Sequence, residues 1–567
     1  MSRPTKPLRF PPQTCSAGCG ILLALVFGAL LQGDAVWATD FYVSPKGDDA
    51  NSGTTIDAPW KTIAKVNSRT YGPGDRILFK GGSVFQGSLY LAPDSAGTAA
   101  NPITVTSYGR GRATLKAGNS YGILASNNGG VSIWNLNFIG SGAETNTGDG
   151  ISFYNDLPGD VKKTFLRVHE VDVSGFGGCG CLIGGMNGAS GYSDVSVTAS
   201  AFHNNRKAGM QTYGPTFNPA SPVYALEAMY VGDCRAYNNK GDPAAIANTG
   251  NGIVLGSING GLVEFCVAHG NGINNQPSEG PMGIWTYDSN GIVIQNCESY
   301  KNRSGSLADG GGFDLDQNVS NSVLQYNYAH DNDGAGFLIY ADPGSPNTNN
   351  VVRYNISEDD SVKNSYGGIV VAGQVDQCDI YNNTVFISAR ASGPAALRIT
   401  AIGVTPSNVR VRNNIFVTRQ RPRGTVMLVN SVDDPSYSLQ RNDYFNDNGS
   451  FAMVWGANTY TSLAAWLAAA PAQERVNGTV VALNENPGLS KLGGGRTVGD
   501  ARLLTGLKAY RLKPDSPLID AGLAIATLID SPPGTNAGDR DFFGNTISQG
   551  AAFDVGAHES PEASDAN

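Results

Sequence analysis

Short runs of alternating apolar and polar residues recur through the middle of the chain, each introduced by a glycine. They read Gly252-Ile253-Val254-Leu255, Gly283-Ile284-Trp285-Thr286, Gly312-Phe313-Asp314-Leu315, Gly336-Phe337-Leu338-Ile339 and Gly368-Ile369-Val370-Val371. Alternation at period two is a strand pattern and sends successive side chains to opposite faces. Ile253, Ile284, Phe313, Phe337 and Ile369 are therefore expected to stack inside. A second phrase, close to apolar-x-x-(Cys/Asn)-x-x-x-x-Asn, accompanies these runs as VGDCRAYNN, VEFCVAHGN, VIQNCESYKN and VLQYNYAHDN. Its central column is read as Asn137, Asp172, Ser200, Cys234, Cys266, Cys297, Asn327, Asn355, Asn383, Asn414 and Asn442, at intervals of 28 to 35 residues.

A period near 30 with short strands and no intervening helix predicts a solenoid. In a parallel coil each turn lies about 4.8 Å above the last. Inward Asn side chains stacked at that spacing can bond to one another along the stack, which satisfies buried amides at a bend. A helical reading has no use for such a column. The fold class is accordingly all-β. Residues 39–442 form the coil, with insertions near 214–224, 240–251 and 271–282. Residues 443–567 supply C-terminal coils and a small irregular cap, which includes a short helix over Thr461–Ala470.

Composition narrows the class further. Charged residues are only 15% of the 567, and glycine reaches 73, which suits a turn-rich β protein. The net charge of −9 argues against a nucleic-acid partner. Residues 1–38 read as an export signal, with Arg3, Lys6 and Arg9 before the apolar run Ile21–Leu31 and small residues at Val36-Trp37-Ala38. That run is shorter than the roughly 20 residues a membrane span needs. The expectation is a secreted or periplasmic monomer with no membrane span after cleavage. Six cysteines follow residue 38, without a zinc-type CxxC pair. They are expected to be free thiols, several of them small buried residues of the column.

Three stretches carry a family resemblance: FYVSPKGDDANSGTTIDAPWKTIAKVN with PGDRILFKGG and GTAANPITVTSYG, the repeat itself, and YRLKPDSPLIDAG with DRDFFGN and AAFDVGAHE. Together they resemble the right-handed parallel β-helix proteins of the pectate-lyase-like superfamily. That resemblance implies a right-handed coil and a carbohydrate-active protein, but no single reaction, because the fold hosts lyases, hydrolases, epimerases and adhesins.

The outward residues of the first strand of each turn form a surface grid. The pairs run Ser152/Tyr154, Leu182/Gly184, Gln211/Tyr213, Val254/Gly256, Trp285/Tyr287, Asp314/Asp316 and Leu338/Tyr340, followed by Val370. Two carboxylates thus share a strand face between aromatic rungs, with Asp309 just before them. Paired carboxyls are the machinery of glycoside hydrolysis, and crowding can hold one of them protonated. Asp309, Asp314 and Asp316 are the catalytic candidates. Trp285, Tyr287, Tyr340, Tyr213 and Gln211 are the candidates for holding a polysaccharide or oligosaccharide. The same acids have other uses: Asp309, Asp314 and Asp333 could hold calcium, and Asp316 precedes the turn residues Gln317-Asn318, where Asp serves local bonding. His203, His269 and His330, alternating with Tyr237 and Tyr300, are expected to pack as an outer face.

HNNRKAGMQTY, GGGFDLD and GAGFLIY are similar to calcium-dependent pectate lyases of the β-helix type. In that likeness Asp314 matches a calcium ligand, but the Lys base falls on Leu338 and two further aspartates fall on Gly310 and Gly311. Arg398 is a basic candidate on an outward site, three rungs from Asp314. The leading expectation is an exported glycoside hydrolase using paired Asp, with no certain cofactor. A calcium-dependent polysaccharide lyase or epimerase on uronates and a non-catalytic surface carbohydrate-binding protein remain as alternatives.

Overall fold

The computed structural model describes residues 38–388, 393–419, 424–432, 436–449, 451–525 and 538–561. The expected export signal therefore lies outside the described residues, apart from Ala38. The described chain is a parallel β-solenoid. One 14-stranded sheet runs its length, and 25 strands make a second. Neighbours in the first sheet pair parallel, except for a final antiparallel hairpin between Phe451–Trp455 and Asn458–Tyr460. The second sheet consists of two rows of strands joined where Val131–Gly140 and Lys162–Ser174 run straight through the bend and pair in both rows. No helix among the described residues is long and apolar enough to cross a membrane.

Seven strands of the 14-stranded sheet matter for function. They are β1 (Ala208–Tyr213), β2 (Asn251–Gly256), β3 (Met282–Tyr287), β4 (Gly311–Leu315), β5 (Phe337–Ala341), β6 (Gly367–Gly373) and β7 (Ala395–Thr400). Ile253 pairs with Ile284, Ile284 with Phe313, Phe313 with Phe337 and Phe337 with Ile369. All five are fully buried, as the alternation predicts. The Phe313 and Phe337 rings stack at 5.2 Å. Burying each such side chain contributes about 1.5–3 kcal/mol.

The polar column is a hydrogen-bonded ladder from Cys297 downward. The backbone N–H groups of Cys297, Asn327, Asn355, Asn383 and Asn414 donate to Oδ1 of Asn327, Asn355, Asn383, Asn414 and Asn442 in turn, at 2.9–3.1 Å. From Asn327 on, Nδ2 donates to the same acceptor. The ladder ends on Glu474, whose Oε1 accepts from Asn442 at 2.8 Å. Residues just before the column, among them Tyr326, Tyr354, Asn382 and Asn413, adopt positive φ of 50° to 59°. For a tyrosine this is a disfavoured backbone, and the ladder stabilises the bend that requires it. A second ladder, made by the trailing Asn of the same phrase, runs Asn205, Asn239, Asn271, Asn302 and Asn332 to Asp360.

The column's upper end differs from the expectation. Ala201 pairs with Asp172 and Arg235, so Ser200 aligns with Cys234 but with Val171, not Asp172. Asp172 and Asn137 pair with each other and lie one position past the column. Asp172 accepts from His203 at 3.2 Å instead. On the two strands that run through the bend the column position is held by the buried apolar side chains of Leu136 and Val171. All six cysteines after residue 38 are buried free thiols.

At the other end, parallel pairing continues past residue 442 to Phe451–Trp455. Helix α1, over Leu463–Ala469, is capped by the Ser462 hydroxyl. It presses a fully buried Trp466 against Tyr444 and Trp455. The segment beyond it does not stay at the coil end. Leu489, Leu504, Leu512, Leu518 and Phe542 pack along the side of the coil on Val267, Tyr328, Ile356, Phe386 and Ile415. The ring column lies beside this strap. His203, Tyr237, His269, Tyr300 and His330 stack at 4.6–5.1 Å with interplanar angles of 4–9°.

Candidate active site

The register sets the outward residues of β2 to β7 in two columns. One runs Val254, Trp285, Asp314, Leu338, Val370, Arg398. The other contains Gly256 beside Tyr287 in the upper rungs and Tyr340, Ala372, Thr400 in the lower ones. A cavity of about 550 Å³ lies over these columns, well within the size range of small-ligand sites. Its floor carries Asp314 and Asp316, and Trp285, Tyr287, Tyr340 and Tyr366 are among its walls. Asp309 also lines it, reached from the loop before β4, and Arg398 with Thr400 closes the far end.

Of the candidate residues, Asp309, Asp314, Asp316, Trp285, Tyr287 and Tyr340 all line this cavity, and Gln211 and Tyr213 do not. Gln211 pairs with Val254, two rungs above Asp314's neighbour Trp285. It accepts from the Cys179 thiol at 3.5 Å. Asp333 also stays outside. Its carboxylate accepts from Arg303 at 2.7 Å and from the Ser304 N–H at 3.1 Å. The trio Asp309, Asp314 and Asp333 is thus not one ligand set, because an arginine occupies the third member. No group of three His, Cys, Asp or Glu side chains among the described residues is arranged to hold a metal ion.

The three candidate carboxyls have distinct surroundings, and Glu279, Asp288 and Asp342 line the same cavity. Asp314 is 3% exposed, and its Oδ1 is buried with no hydrogen-bond partner. Burial pushes its pKa well up, with Asp316 and Asp309 adding to the effect. Asp316 is raised to about 8, chiefly by burial and then by Asp309, Asp342 and Asp288, against one local bond from the Gln317 N–H. Asp309 is raised by burial but held back by the Tyr366 hydroxyl and the Gly280 N–H, which donates to its Oδ2 at 2.9 Å. Asp309 and Asp316 are half-buried. So three acids with raised pKa values face one cavity, with Asp309 held back by two hydrogen bonds, Asp316 by one and Asp314 by none.

The walls are pinned by side-chain bonds. Trp285 Nε1 donates to Asn251 Oδ1 at 3.0 Å, and Asn251 donates in turn to Asn248. Trp285 and Tyr287 lie 5.4 Å apart at 34°. Tyr340 donates to Asp342 at 2.5 Å. The Asp309 N–H donates to the Tyr366 hydroxyl at 3.1 Å, and Asn364 Nδ2 donates to the Asp309 carbonyl at 2.8 Å. Tyr366 and Asn364 were not legible as site residues, since their loop lies more than fifty positions away.

Comparison with known proteins bears on the coil first. Residues 225–385 match the family model for the right handed beta helix region. The chain is a right-handed parallel β-helix. The β-helix is 25% identical, over 96% of its own length, to a lacto-N-biosidase of Bifidobacterium longum subsp. longum, and spans 38% of that relative. Among solved structures it resembles the GH136 lacto-N-biosidase from Eubacterium ramulus, with a TM-score of 0.46, 18% identity and coverage of 64% of this chain and 67% of that one. A pectate lyase aligns with a TM-score of 0.41 and 19% identity over 93% of this chain and 97% of its own. The A-module of a mannuronan C-5 epimerase from Azotobacter vinelandii aligns with a TM-score of 0.44 and 14% identity, over 64% and 90%.

Proposed function

We propose that this β-helix is a glycoside hydrolase in which Asp309 and Asp316 are the reacting pair. The observation that carries the reading is the cluster of Asp309, Asp314 and Asp316 in one cavity walled by aromatic rings. The curated relative named as a lacto-N-biosidase supports the same class. Asp316 keeps its proton to about pH 8 and gives it to the glycosidic oxygen as the C–O bond breaks. Asp309, its anion backed by Gly280 and Tyr366, attacks the anomeric carbon or activates a water there. Asp314 is almost fully covered beside them, and burial together with Asp316 and Asp309 favours its neutral form. Trp285, Tyr287 and Tyr340 hold the sugar rings.

The test is a screen of neutral and uronate saccharides with and without added calcium. New reducing ends and the ultraviolet absorbance of an unsaturated uronate are followed together. The expected result is reducing ends without absorbance, lowered roughly 10²- to 10⁴-fold in Asp309→Asn and in Asp316→Asn. A uronate lyase or epimerase is the second reading, favoured by Arg398 on the same cavity. Calcium-dependent absorbance would replace the hydrolase with it. Binding without turnover on every substrate would leave a carbohydrate-binding protein. Export through residues 1–38 belongs to the same proposal, and N-terminal sequencing of the secreted or periplasmic protein checks it.

A further inference from the structure

We infer that Arg398 forms a distal subsite selecting a carboxylated sugar on the saccharide. The inference rests on the reading of the cavity as a saccharide site. Arg398 occupies the outward column of Asp314, three rungs on. At the rung spacing this is about 14 Å, the reach of a short oligosaccharide lying along the cavity floor.

The side chain is a half-buried cation without an acid. Its Nη1 donates to the Ser365 carbonyl, and its Nε is buried without a hydrogen-bond partner among the described residues. Among the described residues it takes part in no ion pair, whereas Arg206, Arg303, Arg410 and Arg419 each meet an aspartate. Withdrawing a charge from water without a counter-charge is costly, and a ligand carboxylate would supply that counter-charge. With Nη1 occupied and Nε covered, Nη2 is the guanidinium nitrogen that remains for a charge-assisted bond to a ligand carboxylate.

The cavity also changes sign along its length. Six carboxyls line it, those of Glu279, Asp288, Asp309, Asp314, Asp316 and Asp342, and among the described residues Arg398 is its one cation, three rungs from Asp314. A saccharide whose acidic group lies away from the cleaved bond would bind in one direction only, because the reverse places its charge beside Asp309.

The experiment measures binding by calorimetry on the full chain carrying Asp316→Asn, which slows turnover by roughly 10²-fold or more. The probes are galacturonate oligomers and the same oligomers with their carboxyls reduced to alcohols. The acidic oligomers should bind about ten-fold tighter. Arg398→Gln should abolish that preference without weakening the reduced oligomers, and Arg398→Lys should restore part of it. Equal binding of both probes, binding of neither, or a preference that survives in a folded Arg398→Gln chain would overturn the subsite. The readout is independent of cleavage. An Arg398-dependent preference in a chain that cleaves nothing would keep the subsite and remove the hydrolase, and cleavage with no such preference would do the reverse.

Discussion

Asp316 keeps its proton to about pH 8, against an ordinary carboxyl value of 3.8. Between those values the folded chain binds a proton that the unfolded chain has released, so stability falls as pH rises across that window. Each pH unit inside it costs up to about 1.4 kcal/mol. Asp316→Asn removes the titration while keeping the shape. The variant should therefore melt at a higher temperature than the wild type at pH 8, with the gap closing toward pH 4. A gap that does not change with pH would show that Asp316 is not buried as an acid. On the proposed mechanism the same residue would set the alkaline limb of activity, so turnover should decline above about pH 8. Asp314 and Asp316 were legible because period-two alternation names the outward side of a strand without any knowledge of the fold. Tyr366 was not, because it sits in the loop before β6, 57 residues on from Asp309, and loop positions obey no period.

The bends are the elements that the ladders hold. Asn383 accepts from the backbone and side chain of Asn355, and donates to Val352, Tyr381 and Asn414. Asn383→Ala leaves buried donors unpaired on the turn above and an acceptor short on the turn below. A loss of about 3 kcal/mol is expected, read as a lower denaturant midpoint. Asn408→Ala, exposed at φ 50° and bonded to Asp376 at 2.7 Å, should cost less, about 1–2 kcal/mol. The strand pattern and the ladder were readable from residue 200 downward because each turn repeats the same bend. Upstream the phase slipped by one. Asn137 and Asp172 are polar residues in the right interval, but they lie on strands that pass through the bend, where spacing alone does not set the phase.

At the scale of the whole molecule, the C-terminal strap seals a lateral face that the sequence suggested would be left to the ring column. Glu298 joins the two: it accepts from the N–H groups of Val498 and Gly499 at 2.6 Å and contacts His330 at 3.3 Å. Burial opposes the charge on His330, but its bonds to Asp331 and Glu298 outweigh that and raise it to about 9. The stabilisation is fully present below the ordinary histidine value of 6.5 and is lost as pH rises through 9. His330→Gln should thus lower the melting temperature at pH 6 and have much less effect at pH 10. A Leu518→Ala cavity under the strap should cost about 2–5 kcal/mol at either pH. The strap was hidden in the sequence because its contacts are made by single residues of an irregular segment, with no periodicity to expose them.

The equal pitch of the turns has a consequence for how such a molecule changes. Trp285, Asp314, Leu338, Val370 and Arg398 stand at successive steps of one column. The column is a graduated ruler with an acid marked at one division and a positive charge at another. Adding or deleting one turn between them would slide the charge by a whole division of about 4.8 Å and leave every other contact in register. Substrate length in this architecture can therefore evolve in discrete jumps, by gain or loss of a repeat, without any redesign of the chemistry.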